Sequence, residues 1–151
     1  MPNPQGQVGM RGPLVYAGPD YTIFVQSPEF NPADSEIIYF GAAPKVPQTT
    51  EGQNRIFIRV AGVIRNVAVM TYARTLAGSN EAWSLYVRLN GATDYLVQTQ
   101  SLNTNERLFV NDAMNIPIVV GDRLEMKFVN PIWVPNPTGV CISGYLYVLV
   151  G

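Results

Sequence analysis

Short runs in which apolar and polar residues alternate recur along the chain after residue 20, and glycine, proline and asparagine separate them. Alternation with a period of two is typical of a strand with one buried face. No stretch of ten or more residues has the spacing of an amphipathic helix, so the pattern predicts an all-β antiparallel sandwich or jelly roll. The segments expected to form strands are 21–26, 36–44, 55–74 with a bend at Gly62, 83–100, 108–120, 123–129 and 140–150. The two prolines of 27–35 predict a loop there.

The segment "WSLYVRLNGATDYLVQTQ" (83–100) predicts a β-hairpin. Asn90 and Gly91 both tolerate positive φ, which makes this pair a strong short-range turn signal. A three-residue loop sets Arg88 opposite Asp94 and Val87 opposite Tyr95, matching charges and apolar faces together. We expect Trp83 to lie on the core face of the first strand.

The last run, "VCISGYLYVLV" (140–150), is apolar on both of its faces. A strand with one face in water alternates with polar residues, so both faces of this one are expected to be covered. One face holds Val140, Ile142, Leu146, Val148 and Val150. The other holds Cys141, Tyr145, Tyr147 and Leu149. Since no helix is available to cover the second face, we expect a neighbouring subunit to do so, with Tyr145, Tyr147 and Leu149 at the interface.

Gly121-Asp122 stands between an apolar run and the alternating strand "RLEMKFV". Aspartate in this position commonly bonds its own turn backbone, so Asp122 is expected to form a turn rather than to act as an acid or metal ligand. Leu124, Met126 and Phe128 are expected to point inward. Two further carboxylates, Asp34 and Glu36, lie near Pro32 in a predicted loop, where aspartate also makes local turn bonds.

Composition removes most catalytic chemistry. The chain has no histidine, which excludes Ser-His-Asp and Cys-His arrangements within one chain. It has no Walker-type glycine loop and no G-x-G-x-x-G motif, and its carboxylates do not cluster as metal ligands. Cys141 is single and is expected to be a small buried residue. We therefore predict no enzymatic activity, no cofactor and no metal. A net charge of −1 also argues against nucleic acid as a partner.

Residues 1–20 are rich in glycine and proline and predict an extended N-terminal arm before a β-domain at 21–151. Gly6, Gly9 and Gly12 fall three apart, but a collagen helix needs many such triplets. An arm that docks on a partner is the preferred interpretation, and a disordered tail is the alternative. The chain shows no signal peptide and no run long enough to span a bilayer, so membrane insertion is not expected.

Three stretches resemble the trimeric jelly rolls of the tumour-necrosis-factor and complement globular-head type. They are "YVRLNGATDYLV" (86–97), "VVGDRLEMKF" (119–128) and "ISGYLYV" (142–148), and they occur in the order found in those families. The resemblance implies a tight homotrimer whose last strand lies near the threefold axis. Carried over to this chain, it implies that Tyr145, Tyr147 and Leu149 pack against neighbouring subunits.

A short Gly/Pro arm before such a module, without disulfide or collagen stalk, is similar to bacteriophage virion proteins. That similarity implies a non-enzymatic capsid decoration or head-fibre protein, made in the host cytoplasm and located in the virion. The arm would contact other virion proteins through Val8, Met10, Arg11 and Leu14.

A receptor- or glycan-binding fibre tip is the alternative. Trp133 lies between Pro131 and Pro135 in a predicted loop and is the best candidate for an exposed aromatic that contacts a host surface glycan. Residues 101–106 form a second predicted loop that would take part in binding the receptor or glycan.

Overall fold

The structure is a computed structural model and describes residues 18–151. Ten strands and no helix form in this part of the chain, which confirms the predicted all-β class. The strands are β1 (Tyr21–Phe30), β2 (Ile37–Phe40), β3 (Ile56–Phe57), β4 (Gly62–Tyr72), β5 (Trp83–Leu89), β6 (Thr93–Gln100), β7 (Glu106–Asn111), β8 (Ile116–Ile118), β9 (Arg123–Val129) and β10 (Val140–Leu149).

The strands form two antiparallel sheets that pack face to face. Sheet A has the order β1-β10-β4-β7, with β8 beside β4, and sheet B has the order β2-β9-β5-β6, with β3 beside β9. Leaving aside the two short strands β3 and β8, the first long strand pairs with the last, the second with the second-last, and so on inward. This nested pairing, with alternate pairs in alternate sheets, is a jelly-roll-like sandwich.

An aromatic cluster fills the space between the sheets. The rings of Trp83 and Phe128 stack at 3.9 Å between centroids, and Phe40 stacks on Phe128 at 5.6 Å. Phe109, from sheet A, meets both Trp83 and Phe128 edge-on. The indole N–H of Trp83 donates to Oδ1 of the buried Asn130 at 2.7 Å, which satisfies its one polar atom. The inward placement of Trp83, Leu124, Met126 and Phe128 is confirmed, since all four are fully buried.

The hairpin of β5 and β6 has the predicted register beside its turn, and a register shift between Leu85 and Tyr86 changes the pairing beyond it. Arg88 pairs with Asp94, and Val87 pairs with Tyr95. Asn90 and Gly91 take φ values of 56° and 64°, the conformation for which this residue pair is selected.

The prediction of a loop over 27–35 is wrong for residues 27–30. β1 continues to Phe30, with a register shift between Ser27 and Phe30. Pro28 lies at this irregularity, and β1 is an edge strand of sheet A. A proline is tolerated at such a position because its missing N–H removes no essential ladder bond.

Candidate assembly surface

The two faces of β10 divide as the sequence predicts. Val140, Ile142, Leu146 and Val148 are buried in the core, each no more than 3% exposed. The other face points away from sheet B, and no residue of 18–151 covers it. Tyr145 is 42% exposed there and Leu149 is 39% exposed.

The outward side chains of sheet A extend this face into a continuous surface, which we call the sheet A surface. One transverse row crosses all four long strands, because Phe24 pairs with Tyr145, Tyr145 with Ala68, and Ala68 with Val110. The next row runs through Gln26, Ser143, Met70 and Leu108. Phe24 is 71% exposed, Leu108 is 50% exposed and Met70 is 40% exposed.

Charged residues are confined to the ends of the sheet A surface. Arg65 lies at one end, where a bulge in β4 leaves it unpaired, and Glu106 lies at the other, opposite Tyr72. Asp112 lies near the Arg65 end, where its carboxylate accepts a hydrogen bond from Asn66. The rows of Tyr145 and Ser143, between the two ends, carry no charge. An uncharged, aromatic centre with a charged rim is the composition that distinguishes the core of a protein–protein interface.

The outer face of sheet B has the opposite character. Arg88 bonds the carboxylates of Glu51 and Asp94 at 2.6 and 2.7 Å, and Lys127 bonds Asp94 at 2.6 Å. Partial burial would raise the pKa of Asp94, but the hydrogen bonds from Lys127 and Arg88 outweigh it and leave that pKa lowered. This ion-pair network keeps the outer face of sheet B charged, so the two outer faces differ in kind.

Tyr145, Tyr147 and Leu149, the residues predicted from the sequence, all point to the sheet A surface. Tyr147 has a further contact: its hydroxyl donates to Oδ2 of Asp20 at 2.7 Å. The Val150 backbone N–H donates to Oδ1 of the same carboxylate at 2.8 Å. These bonds, the one from Val150 first, lower the pKa of Asp20, and the bond to Asp20 raises the pKa of Tyr147. Asp20 thereby joins the start of β1 to the end of β10.

Sequence reasoning missed Phe24, Met70 and Leu108. The signal for Phe24 was present, because Tyr21, Ile23 and Val25 alternate with it and occupy the core side. Met70 and Leu108 become neighbours only through the pairing of β4 with β7, which no local pattern specifies.

The expectation of a buried Cys141 is wrong. Its side chain is partly exposed on the outward face of β10, because it alternates with the buried Val140 and Ile142.

The expectation of an exposed Trp133 is also wrong. Its side chain is 3% exposed and packs edge-on against Trp83, with 5.6 Å between ring centroids. Its backbone N–H donates to Oδ1 of Asp34 at 2.9 Å, and Asn136 bonds the same oxygen at 3.2 Å. Asp34 therefore holds the loop before β10 in a shape that turns Trp133 inward and leaves Ile132 and Val134 exposed.

Asp122 forms a turn, as predicted. Its Oδ2 accepts a hydrogen bond from the Val119 backbone N–H at 2.8 Å, and its Oδ1 accepts one from the Asn90 side chain at 3.0 Å. These two bonds, the one from Asn90 first, lower the pKa of Asp122. Both carboxylate oxygens thus serve the fold.

Residues 18–151 contain no group of three or more His, Cys, Asp or Glu side chains placed to hold a metal ion. No helix in this range is long and apolar enough to cross a bilayer. The residues expected to anchor the chain, Val8, Met10, Arg11 and Leu14, lie outside the described part of the chain.

Comparison with protein-family models finds no matching family, and a search of curated proteins finds no match.

Proposed function

We propose that this chain is a non-enzymatic structural protein of a bacteriophage virion, a homotrimeric capsid decoration or head-fibre protein anchored by its N-terminal arm. The observation that carries the proposal is the sheet A surface: an uncharged, aromatic face on the central strands of an otherwise complete sandwich. Soluble monomers rarely leave a contiguous apolar face of this kind open to water.

The partner that best fits this surface is another copy of the same chain. The resemblance to trimeric jelly rolls assigns the last strand to the threefold axis, and β10 lies in the interior of sheet A between β1 and β4. Burial of Phe24, Tyr145, Met70 and Leu108 between copies would remove four large exposed apolar side chains of this face from water. Burial of a completely exposed side chain of this kind contributes about 1.5–3 kcal/mol, and each of these partly exposed side chains would contribute a fraction of that.

The arrangement of the chain ends supports anchoring by the arm. Asp20 bonds Val150, and the Tyr21 hydroxyl donates to the Val60 carbonyl at 2.7 Å, so the arm leaves the sandwich at the end where β10 finishes. The loops 31–36 and 130–139 lie at the opposite end, where β1 ends and β10 begins. A particle bound through the arm would therefore carry these loops on its outside.

The glycan-binding alternative loses its main residue. Trp133 is buried against Trp83 and is not available to stack on a sugar. The structural function is therefore the one we retain.

The molar mass in solution tests the assembly. We expect light scattering to give three times the chain mass for the wild-type protein and the chain mass for Tyr145→Asp, because a charge would be buried at the centre of the interface. Leu96→Asp is the matched control, since Leu96 is 49% exposed on the outer face of sheet B. A wild-type monomer at micromolar concentration, or a Tyr145→Asp variant that stays trimeric, contradicts the proposed trimer.

Placement in the virion is tested separately. Mass spectrometry of purified particles from a phage that encodes the chain should detect it in a stoichiometric amount. Removal of residues 1–17, which keeps Asp20 and its bonds to Tyr147 and Val150, should release it from the particles while the trimer persists. Its absence from purified particles would overturn the virion assignment and leave the trimer standing.

A further inference from the structure

Side chains occupy part of the free edge of β7, where no neighbouring strand pairs with it. β7 pairs with β4 on one side only, so alternate residues direct backbone groups away from the sheet. In three of these alternate residues, one outward backbone group is bonded by a side chain. The Val110 N–H donates to Oε1 of Gln98 at 2.8 Å, the Leu108 carbonyl accepts from Nε2 of Gln100, and the Glu106 carbonyl accepts from the Thr104 hydroxyl at 2.6 Å.

The two glutamines reach β7 from the opposite sheet. Gln98 pairs with Leu85 and Gln100 pairs with Trp83, and both of these partners are fully buried. The register shift between Leu85 and Tyr86 thus turns both glutamine side chains to the inner side of sheet B, where they are half-buried. Gln100 also donates to Gln98 at 3.2 Å, and the side-chain amide of Asn111 donates to the Val97 carbonyl at 3.2 Å. A series of side-chain amides thus connects β6 to β7 at the open side of the sandwich.

A polar residue at an inward position buries less apolar surface than an apolar residue would. If these two positions served only the stability of the core, apolar residues would be expected there. What the amides supply is occupancy of two of the outward backbone groups that an added strand would need, the Val110 N–H and the Leu108 carbonyl. Unpaired edge groups are a template for pairing with a second chain, and natural sheets block them by several devices.

We propose that Gln98 and Gln100 form an edge cap that prevents copies of this chain from joining through β7. With the cap in place, a second copy cannot extend sheet A by pairing a strand with β7, whatever the other edges of the two sheets contact. The inference goes beyond the proposed function and holds whether or not the sheet A surface forms a trimer, because it concerns a different surface.

The test is a double substitution, Gln98→Val with Gln100→Val. Valine favours strands and the inner face, so the sandwich is retained while the cap is lost. We expect sedimentation velocity over a concentration series to show a shift from the wild-type species to large, elongated assemblies, visible as filaments by electron microscopy. Thr99→Val is the matched control: Thr99 lies between the two glutamines, but its hydroxyl bonds Ser84 on the outer face of sheet B. It should sediment like the wild type.

A third variant identifies the edge. Adding Val110→Pro to the double variant removes the outward N–H donor that Gln98 bonds in the wild type, and proline is tolerated where an edge N–H faces away from the ladder. This variant should lose most of the large assemblies.

A folded double variant that sediments like the wild type overturns the proposal, as does polymerisation of Thr99→Val to the same extent. If circular dichroism shows the double variant unfolded, Gln98→Val alone is measured in the same way. A single variant that also fails to fold would assign the glutamines a structural role and overturn the cap.

Discussion

The side-chain amide of Asn90 donates a hydrogen bond to Oδ1 of Asp122 over 3.0 Å. The amide oxygen of the same Asn90 accepts from the Arg123 backbone N–H at 2.9 Å, so both ends of the amide join the β5–β6 hairpin to the turn before β9. The two strongest turn signals of the sequence, Asn90-Gly91 and Gly121-Asp122, therefore meet in space and form one unit at this end of the sandwich.

Replacement of Asp122 by alanine should lower the free energy of unfolding by about 1–2 kcal/mol, since it removes two hydrogen bonds to a carboxylate at the surface. Urea denaturation measures the loss. Asp112→Ala is the control, because that carboxylate accepts one bond, from Asn66 at 3.2 Å. Its loss should be smaller, about 0.5 kcal/mol. Equal losses in the two variants would argue against a special role for the turn at Asp122.

Stability should fall in acid below the ordinary aspartate pKa of about 3.9. The pKa values of Asp20, Asp94 and Asp122 are lowered in the folded state. Between the folded and unfolded pKa the unfolded chain binds more protons, so the stabilisation is complete above the unfolded value and is lost as pH falls through the folded value.

Unfolding free energies measured from pH 6 to pH 2 check this dependence. The decline below about pH 3.9 should be shallower in Asp122→Asn, which has no carboxylate to titrate. An identical pH profile in that variant and the wild type would show that Asp122 does not contribute to the acid sensitivity.

Gly144→Ala should destabilise the sandwich by about 3 kcal/mol through overpacking. A Cβ at this position would lie 2.4 Å from the Ala68 carbonyl oxygen and 2.6 Å from Cα of Val69, both in the backbone of the adjacent strand β4. Backbone atoms in the interior of a sheet cannot move aside as a flexible side chain can.

The matched control for this substitution is Gly121→Ala. No atom lies within 4 Å of a Cβ at Gly121, but its φ of +96° is unfavourable for alanine. The cost there is expected to be about 1–2 kcal/mol from backbone strain alone. Thermal unfolding of both variants compares a steric cost with a conformational one, and a Gly144→Ala loss no larger than that of Gly121→Ala would contradict the close approach.

Local pattern predicted much of the fold. The alternation within 83–100 and the turn chemistry of Asn90-Gly91 were sufficient for the register beside the turn, because the residues paired there are only a few positions apart, but they did not reveal the register shift at Leu85 and Tyr86. The division of β10 into a core face and an outward apolar face also followed from alternation alone. Both depend on interactions within one or two neighbouring segments, and such interactions are readable from a short window of sequence.

Trp133 shows where that reasoning ends. A tryptophan between prolines in a loop has the local pattern of an exposed contact, and the sequence contains nothing nearby that argues otherwise. Its burial depends on Asp34, about a hundred residues earlier, which holds its backbone N–H, and on Trp83, which supplies the ring against which it packs. Neither partner can be assigned before the strands are assembled.

The sequence by itself determined the strand class, the hairpin at Asn90, the turn at Asp122 and the double apolar character of β10, because alternation and turn chemistry act over a few residues. Only the tertiary structure decided that Phe24, Ala68 and Val110 share one row with Tyr145, and that Gln98 and Gln100 meet the edge of β7. In a jelly roll the first strand pairs with the last, so such neighbours are set by burial of the whole core rather than by any local pattern.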